Sequence, residues 1–151
     1  MYGESIRKRP LDSLEHFMAE SHQRLNGDAL DVLEACAANA PDIAVAWAKF
    51  DRGLRAHLEA EERFVFPAFV RVDRDAALGL LREHGEIREQ LLELGVAVDL
   101  HLLRAEASQA FMVALRAHAA REEALMYRWA DKQLEYTLVE AVRLYLSRHS
   151  T

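Results

Sequence analysis

Residues 55–62 read RAHLEAEE and residues 116–123 read RAHAAREE, so one short pattern occurs twice in the chain. Each copy places a histidine four residues before a glutamate. The two pairs are His57 with Glu61 and His118 with Glu122. Residues four apart on an α-helix lie above one another on one face. Each copy therefore predicts a helix that presents an imidazole and a carboxylate together, which is typical of half of a two-metal site.

The overall composition also favours helices. The chain has 151 residues, the usual size of one domain, and we expect residues 1–151 to form a single domain. Hydrophobic residues make up 51%, glycine and proline are scarce, and no run alternates like a β-strand. These features predict an all-α domain with a sizeable core.

The sequence disfavours several functional classes. The net charge is -6, and the one short basic run, Arg7–Arg9, is expected to be a solvated tail, so we predict no nucleic-acid partner. No apolar run is long enough to cross a membrane, and the first residues lack the apolar segment of a signal peptide. Cys36 is the only cysteine, so no internal disulfide forms, and a cytoplasmic location is the expectation.

Hydrophobic periodicity and turn signals predict five helices. Their expected spans are about 12–38, 42–70, 75 to the high nineties, the low hundreds to 130, and 132–148. Asp12, with Glu15 three residues later, is expected to open the first helix as a capping box. Pro67 should kink or loosen the last turn of the second helix. The fifth helix is amphipathic, and it either packs outside the bundle of the other four or joins a second subunit in a homodimer.

Four histidines lie at levels that match in neighbouring helices. Two residues of an antiparallel helix pair are level when they are equally far from the turn. The midpoint of His22 and His57 is at residues 39–40, that of His57 and His84 at 70–71, and that of His84 and His118 at 101. Each midpoint lies at or beside a predicted break. The spacing therefore predicts an up-down-up-down four-helix bundle with four level histidines in its centre.

The fourth predicted helix should turn one face towards this centre. His118 and Glu122 share that face with apolar residues, among them Leu125 and Trp129. Trp129 and the neighbouring Tyr127 are interpreted as core packing, with a redox-active aromatic as the alternative.

Six convergent ligands suit two metal ions. Each ion can take two imidazole nitrogens, Glu61 and Glu122 can bridge the ions, and an oxide or hydroxide from solvent can complete a third bridge. Mixed imidazole and carboxylate ligands suit iron and manganese, and also zinc. In a bundle without metal, two bare carboxylates in the apolar interior would each cost several kcal/mol. We therefore expect the metal to contribute to folding stability.

These motifs resemble the hemerythrin-like family, the HHE cation-binding domains, over roughly residues 11–132. The motifs are Glu20-Ser21-His22, residues 57–67 (HLEAEERFVFP), Glu83-His84, and residues 118–123 (HAAREE). The resemblance implies a four-helix bundle around a non-haem di-iron centre. It implies as ligands His22, His57, His84 and His118, with Glu61 and Glu122 as bridges.

The chain departs from the oxygen carriers of this family at one position. Those proteins have a second histidine one turn after the third-helix ligand, where this chain has Arg88. Two histidines per iron and an open position on each disfavour reversible oxygen carriage. Arg88 either pairs with a carboxylate near the site or is solvated, and Glu62 and Glu123 are interpreted as solvated groups or as neighbours of the ligands.

Two functional hypotheses remain, and the sequence does not decide whether the chain is an enzyme. The first is a di-iron protein that binds, senses or reduces dioxygen, nitric oxide or a peroxide at open iron positions. The alternative is a metal-responsive sensor, interaction module or iron-handling protein without turnover, coupled to a partner through the fifth helix. Manganese or zinc could substitute for iron in either case.

Overall fold

A computed structural model describes residues 13–149, so Arg7–Arg9 and Asp12 lie outside the described part of the chain. Ser13 caps the first helix by accepting a hydrogen bond from the backbone N–H of His16. The helical elements in chain order are α1 (Leu14–Ala37), α2 (Ile43–Phe64), α3 (Phe66–Val72), α4 (Arg74–Asp99), α5 (Ala105–Glu122), a π-helical turn (Glu123–Tyr127), α6 (Arg128–Gln133) and α7 (Tyr136–His149). Residues 13–149 contain no β-strand, and the all-α fold class is confirmed.

The four long helices form a closed bundle, in which α1 contacts α2 and α5, and α4 contacts α2 and α5. The turns after α1 and α4 have the same geometry. Asn39 and His101 adopt left-handed φ angles of 50° and 58°. In each turn the next amide donates to the carbonyl five residues earlier, at 2.9 Å in the first turn and 2.7 Å in the second. This bond satisfies carbonyls that the helix end would leave unpaired and reverses the chain direction.

Two apolar clusters fill the bundle, one on each side of a polar layer. One cluster includes Met18, Ala60 and Leu80, and it extends to α6 and α7. The other includes Leu25 and Ile87 and contains buried residues of α1, α2, α4 and α5. The helices α1, α2 and α4 contribute to both clusters, whereas α5 contributes only to the second. The polar layer lies between the clusters, about one helical turn from each. It consists of the histidines and glutamates singled out in the sequence.

The second helix is shorter than predicted. We expected one helix to about Val70, but α2 ends at Phe64 and α3 begins at Phe66. Pro67 occupies the first turn of α3. A backbone N–H at this position would have no acceptor within the helix, so proline costs no helical hydrogen bond there. Because proline cannot bond to the carbonyl of Arg63, the chain closes α2 and starts a new helix. The weakening of the last turn at Pro67 was predicted correctly. Its extent was underestimated, because the structure has a full break between two helices.

The fourth predicted helix is interrupted by the π-helical turn. Leu125, expected on the buried face, is 40% exposed, whereas Met126 and Tyr127 are 0% and 2% exposed. A π-helical turn accommodates one more residue than an α-helical turn, so every later side chain is rotated by about 100°. The prediction for Leu125 was therefore wrong, while His118 and Glu122, which precede the turn, keep their predicted face.

The last helix packs on the bundle of its own chain. It begins at Tyr136, later than expected, and buries Val139, Val142 and Leu146 in the first apolar cluster, mainly against α2. The ring of Tyr145 lies 5.9 Å from that of Phe64. Of the two arrangements left open by the sequence, the structure has the first, and the homodimer stays a prediction. Across residues 13–149, no helix combines the length and apolarity that a bilayer span requires.

Candidate metal centre

The four histidines and two glutamates predicted from the sequence meet in the polar layer. The Nε2 atoms of His22 and His57 lie 3.1 Å apart, and the rings of His84 and His118 lie 4.9 Å apart. Five of the six side chains are buried, and Glu61 and Glu122 are 0% exposed. His22, the sixth, is only partly buried. The level spacing of the histidines is therefore observed in three dimensions.

The donor atoms form two groups that share a carboxylate. The first group holds Glu61, His84, His118 and Glu122, and the second holds His22, His57 and Glu122. Within each group the donor atoms lie within 4.8 Å of one another. The two oxygens of Glu122 lie 3.1 Å from His84 Nε2 and 3.1 Å from His118 Nε2. Glu61 Oε1 lies between the groups, 3.4 Å from His57 Nε2 and 3.6 Å from His84 Nε2.

The outer nitrogens of the histidines also have partners, and these follow the internal repeat. Ser21 Oγ lies 2.8 Å from His57 Nδ1, and Glu83 Oε1 lies 3.2 Å from His118 Nδ1. Ser21 and Glu83 each directly precede the histidine of their own helix and contact the histidine of a neighbouring helix. Such a contact on Nδ1 leaves the Nε2 lone pair facing the centre and orients the ring. Sequence reasoning missed both residues, although their equivalent positions in the repeat were a usable signal.

Burial and mutual repulsion perturb the acids and bases of the centre. Burial, followed by the neighbouring His22, lowers the pKa of His57 far below its usual range. Burial, followed by the charge of Glu122, raises the pKa of Glu61 far above its usual range. Burial also acts to raise the pKa of Glu122, but the close contacts of its oxygens with His118 and His84 outweigh burial and lower the pKa. The shifts of His57 and Glu122 favour a neutral imidazole and a charged carboxylate, which are the forms that bind a metal ion.

The residues fit a metal by the chemistry of their donors. Glu61 Oε1 and His118 Nε2 are buried and make no hydrogen bond of good geometry, although both point into the centre. A buried polar atom of this kind destabilises the fold by about 1–3 kcal/mol unless another partner satisfies it. A cation bound between the carboxylates would satisfy both atoms and remove the repulsion between Glu61 and Glu122.

Comparison with known proteins decides the family. The family profile described as the hemerythrin HHE cation binding domain matches residues 13–130. The chain belongs to the hemerythrin HHE family. No curated protein and no solved structure gives a significant match to the chain. The family and the cluster of histidines and glutamates together indicate that this HHE domain binds metal ions.

One departure of this HHE domain from the oxygen carriers is explained by the structure. Arg88 Nη2 lies 2.7 Å from Glu62 Oε2, and the same oxygen lies 2.9 Å from His84 Nδ1. Arg88 therefore pairs with a carboxylate beside the site, which was one of the two interpretations. It holds Glu62 against the back of His84 rather than adding a donor to the centre. Arg121 contacts Glu83 at 3.1 Å and holds it in the same way.

The π-helical turn determines where the side chain of Tyr127 lies. Its hydroxyl donates to Glu61 Oε2 at 2.6 Å and lies 3.4 Å from Glu122 Oε1, so it contacts both central carboxylates. Its ring stacks on His22 at 6.1 Å. Phe66, which follows His57 by as many residues as Tyr127 follows His118, packs edge-on against His84 at 5.3 Å. The repeat thus places an aromatic ring behind a histidine twice, and only the second ring brings a hydroxyl to the carboxylates.

The three other histidines lie away from the centre. His16 pairs with Glu20 on the surface at 3.2 Å, and His101 is in the turn after α4. His149 stacks on Tyr145 at the end of α7. Trp129 packs on Phe69 with ring centres 5.3 Å apart, which agrees with its interpretation as core packing.

Removal of the carboxylate behind His84 should weaken metal binding. We expect Glu62→Gln to lower metal affinity about 10-fold to 100-fold, because His84 loses the anion that orients its ring and makes Nε2 more basic. Competitive titration with zinc and a chromophoric chelator measures the change. The matched control is Glu59→Gln, one turn away and paired with Arg63 at the surface, which should leave the affinity within about twofold. Equal effects of the two substitutions would contradict the role of Glu62.

Proposed function

We propose that this HHE domain binds two iron ions, one in each donor group. His84 and His118 hold one ion, His22 and His57 hold the other, and Glu61 and Glu122 bridge the pair. The observation that carries this proposal is the membership of Glu122 in both groups, since one carboxylate can serve two ions only if they are neighbours. Six donors for two ions leave coordination positions for a ligand from solution.

We further propose that the centre binds, and in its reduced state reduces, a small ligand such as a peroxide, dioxygen or nitric oxide. A ferrous pair supplies two electrons and a Lewis-acidic position next to each other. The protein supplies the rest. Ser21, Glu62 and Glu83 orient the imidazoles, and the two apolar clusters exclude bulk water. The hydroxyl of Tyr127, whose oxygen lies 2.6 Å from Glu61 Oε2, holds a proton beside that carboxylate.

The side of the centre at His22 and His57 is the accessible one. His22 is only partly buried, and a cavity reaches both histidines. In the other group only one of the two histidines lines this cavity, since His118 reaches it and His84 does not. The ligand is therefore expected to enter at the ion held by His22 and His57.

Anaerobic loading with ferrous iron tests the proposal. We expect two ions per chain, no near-ultraviolet band before oxidation, and the absorption of a bridged diferric pair after hydrogen peroxide or air is added. His22→Ala, on the accessible side, should abolish the band, whereas the surface substitution His16→Ala should leave it unchanged. One ion per chain, or a loaded protein that stays colourless with every oxidant, would contradict the proposal.

A further inference from the structure

A cavity of about 190 Å³ lies between α1, α2 and α5 and ends at the metal centre. Its inner end is formed by His22, His57, His118 and Glu122. Apolar side chains make up most of the remaining wall. They include Leu25, Ala29, Leu54, Leu58, Met112 and Leu115. The cavity thus combines an apolar chamber with potential metal ligands on one wall.

The outer end of the cavity has a polar rim. Gln23 and Asn26 of α1 and Arg116 of α5 line it and are exposed to solvent. Arg116 Nη2 donates to Asn26 Oδ1 at 3.4 Å, so the contact runs across the opening from one helix to the other. This long, exposed bond is weak, because solvent competes for both groups. The rim therefore leaves a passage for a small neutral molecule.

The size of the chamber exceeds what the smallest ligands need. An apolar cavity of about 150 Å³ accommodates a molecule of the size of benzene and stays free of water. A ligand of two heavy atoms would touch only the inner end and leave Leu54, Met112 and Leu115 without contacts. A molecule that fills the chamber has a compact apolar body of about five to nine heavy atoms and a small polar head.

We propose that this cavity binds small organic hydroperoxides, with the alkyl or aryl body against Leu54, Met112 and Leu115 and the –OOH group beside His22 and His57. This inference rests on the proposed function, and it specifies the substrate class. Reduction breaks the O–O bond and yields an alcohol and water, and it consumes two protons from solvent and two electrons. In a single turnover the two ferrous ions supply both electrons and become ferric.

Binding can be tested without redox chemistry. In zinc-loaded protein, tert-butanol, which has the body of tert-butyl hydroperoxide, should give saturation-transfer NMR signals. Leu115→Trp fills the chamber and should abolish them. The control is Leu33→Trp, because Leu33 is also partly buried and packs on the same apolar cluster but does not line the cavity. Signals that survive Leu115→Trp, or vanish equally in Leu33→Trp, would overturn the inference.

Single-turnover kinetics test the substrate class. Diferrous protein mixed anaerobically with tert-butyl hydroperoxide should oxidise at least about tenfold more slowly in Leu115→Trp than in wild type. The rate with hydrogen peroxide should change by less than about threefold, because that molecule does not need the chamber. Equal slowing with both oxidants would overturn the inference. If neither peroxide oxidises the wild type, the proposed function fails, and the NMR result with zinc still decides whether the cavity binds the organic body.

Discussion

Replacing Glu122 by glutamine is expected to lower the iron content from two ions per chain to one or none, and to weaken any remaining binding at least about 100-fold. Glu122 is fully buried, and its oxygens face the Nε2 atoms of His84 and His118, each at 3.1 Å. It is also the carboxylate grouped with His22 and His57. The amide keeps the size of the side chain but carries no charge and offers one metal-binding oxygen instead of two. A single substitution therefore affects both proposed ions.

The control for this prediction is Glu106→Gln, in the first turn of the same helix and exposed to solvent, which should retain two ions per chain. Iron and protein are quantified on the same samples by elemental analysis. Far-ultraviolet circular dichroism separates loss of metal from loss of helix. A Glu122→Gln protein that is helical and still binds two ions would refute the shared bridge.

Glu61→Gln is expected to change stability in opposite directions with and without metal. Without metal, Glu61 is buried next to Glu122, and burial with the charge of Glu122 holds its pKa well above the usual range. Above the ordinary pKa of a glutamate the unfolded chain gives up this proton more readily than the folded chain does, so the raised pKa lowers the stability of the fold there. Glutamine removes that cost and still accepts the hydrogen bond from Tyr127. We expect the metal-free variant to gain about 1–2 kcal/mol in free energy of unfolding.

With zinc present the order should reverse. Wild-type protein gains about 4 kcal/mol when free zinc is a thousandfold above its dissociation constant. The Glu61→Gln protein should gain less than about half of that, because a bridging carboxylate is lost. Urea denaturation at pH 7, with a chelator and then with buffered zinc, gives both values. Exposed Glu93 provides the control, since Glu93→Gln should leave both unfolding free energies within about 0.5 kcal/mol. A variant that is destabilised without metal would show that burial of Glu61 is not costly.

Residue spacing alone predicted that the six candidate ligands lie close together. Helical periodicity puts His57 above Glu61 and His118 above Glu122, and this relation needs only one turn of regular helix. The equal distances of His22 and His57 from the turn at Asn39 then predict that the rings meet, and their Nε2 atoms lie 3.1 Å apart. Both inferences tolerate errors of a residue or two in a turn, because each residue advances a helix by only about 1.5 Å.

The register of the chain after Glu122 could not be predicted in this way. A π-helical turn has no composition of its own, and an unbroken α-helix was the simpler expectation for residues 105–130. The structure has the turn where the hydroxyl of Tyr127 reaches Glu61, a residue 66 positions earlier in the chain. Contacts of that kind depend on how two helices approach each other, so the hydrophobic periodicity of one helix cannot predict them.

The sequence by itself determined the all-α class, the common level of the four histidines, and the pairing of His57 and His118 with a carboxylate one turn later, because these follow from the geometry of single helices and short turns. Only the tertiary structure decided which residues support the ligands. Ser21, Glu62 and Glu83 each reach a histidine on a neighbouring helix, and Arg88 acts through Glu62. Those contacts depend on how far apart and at what rotation the helices pack. The same packing produced the cavity beside His22, whose walls come from three helices.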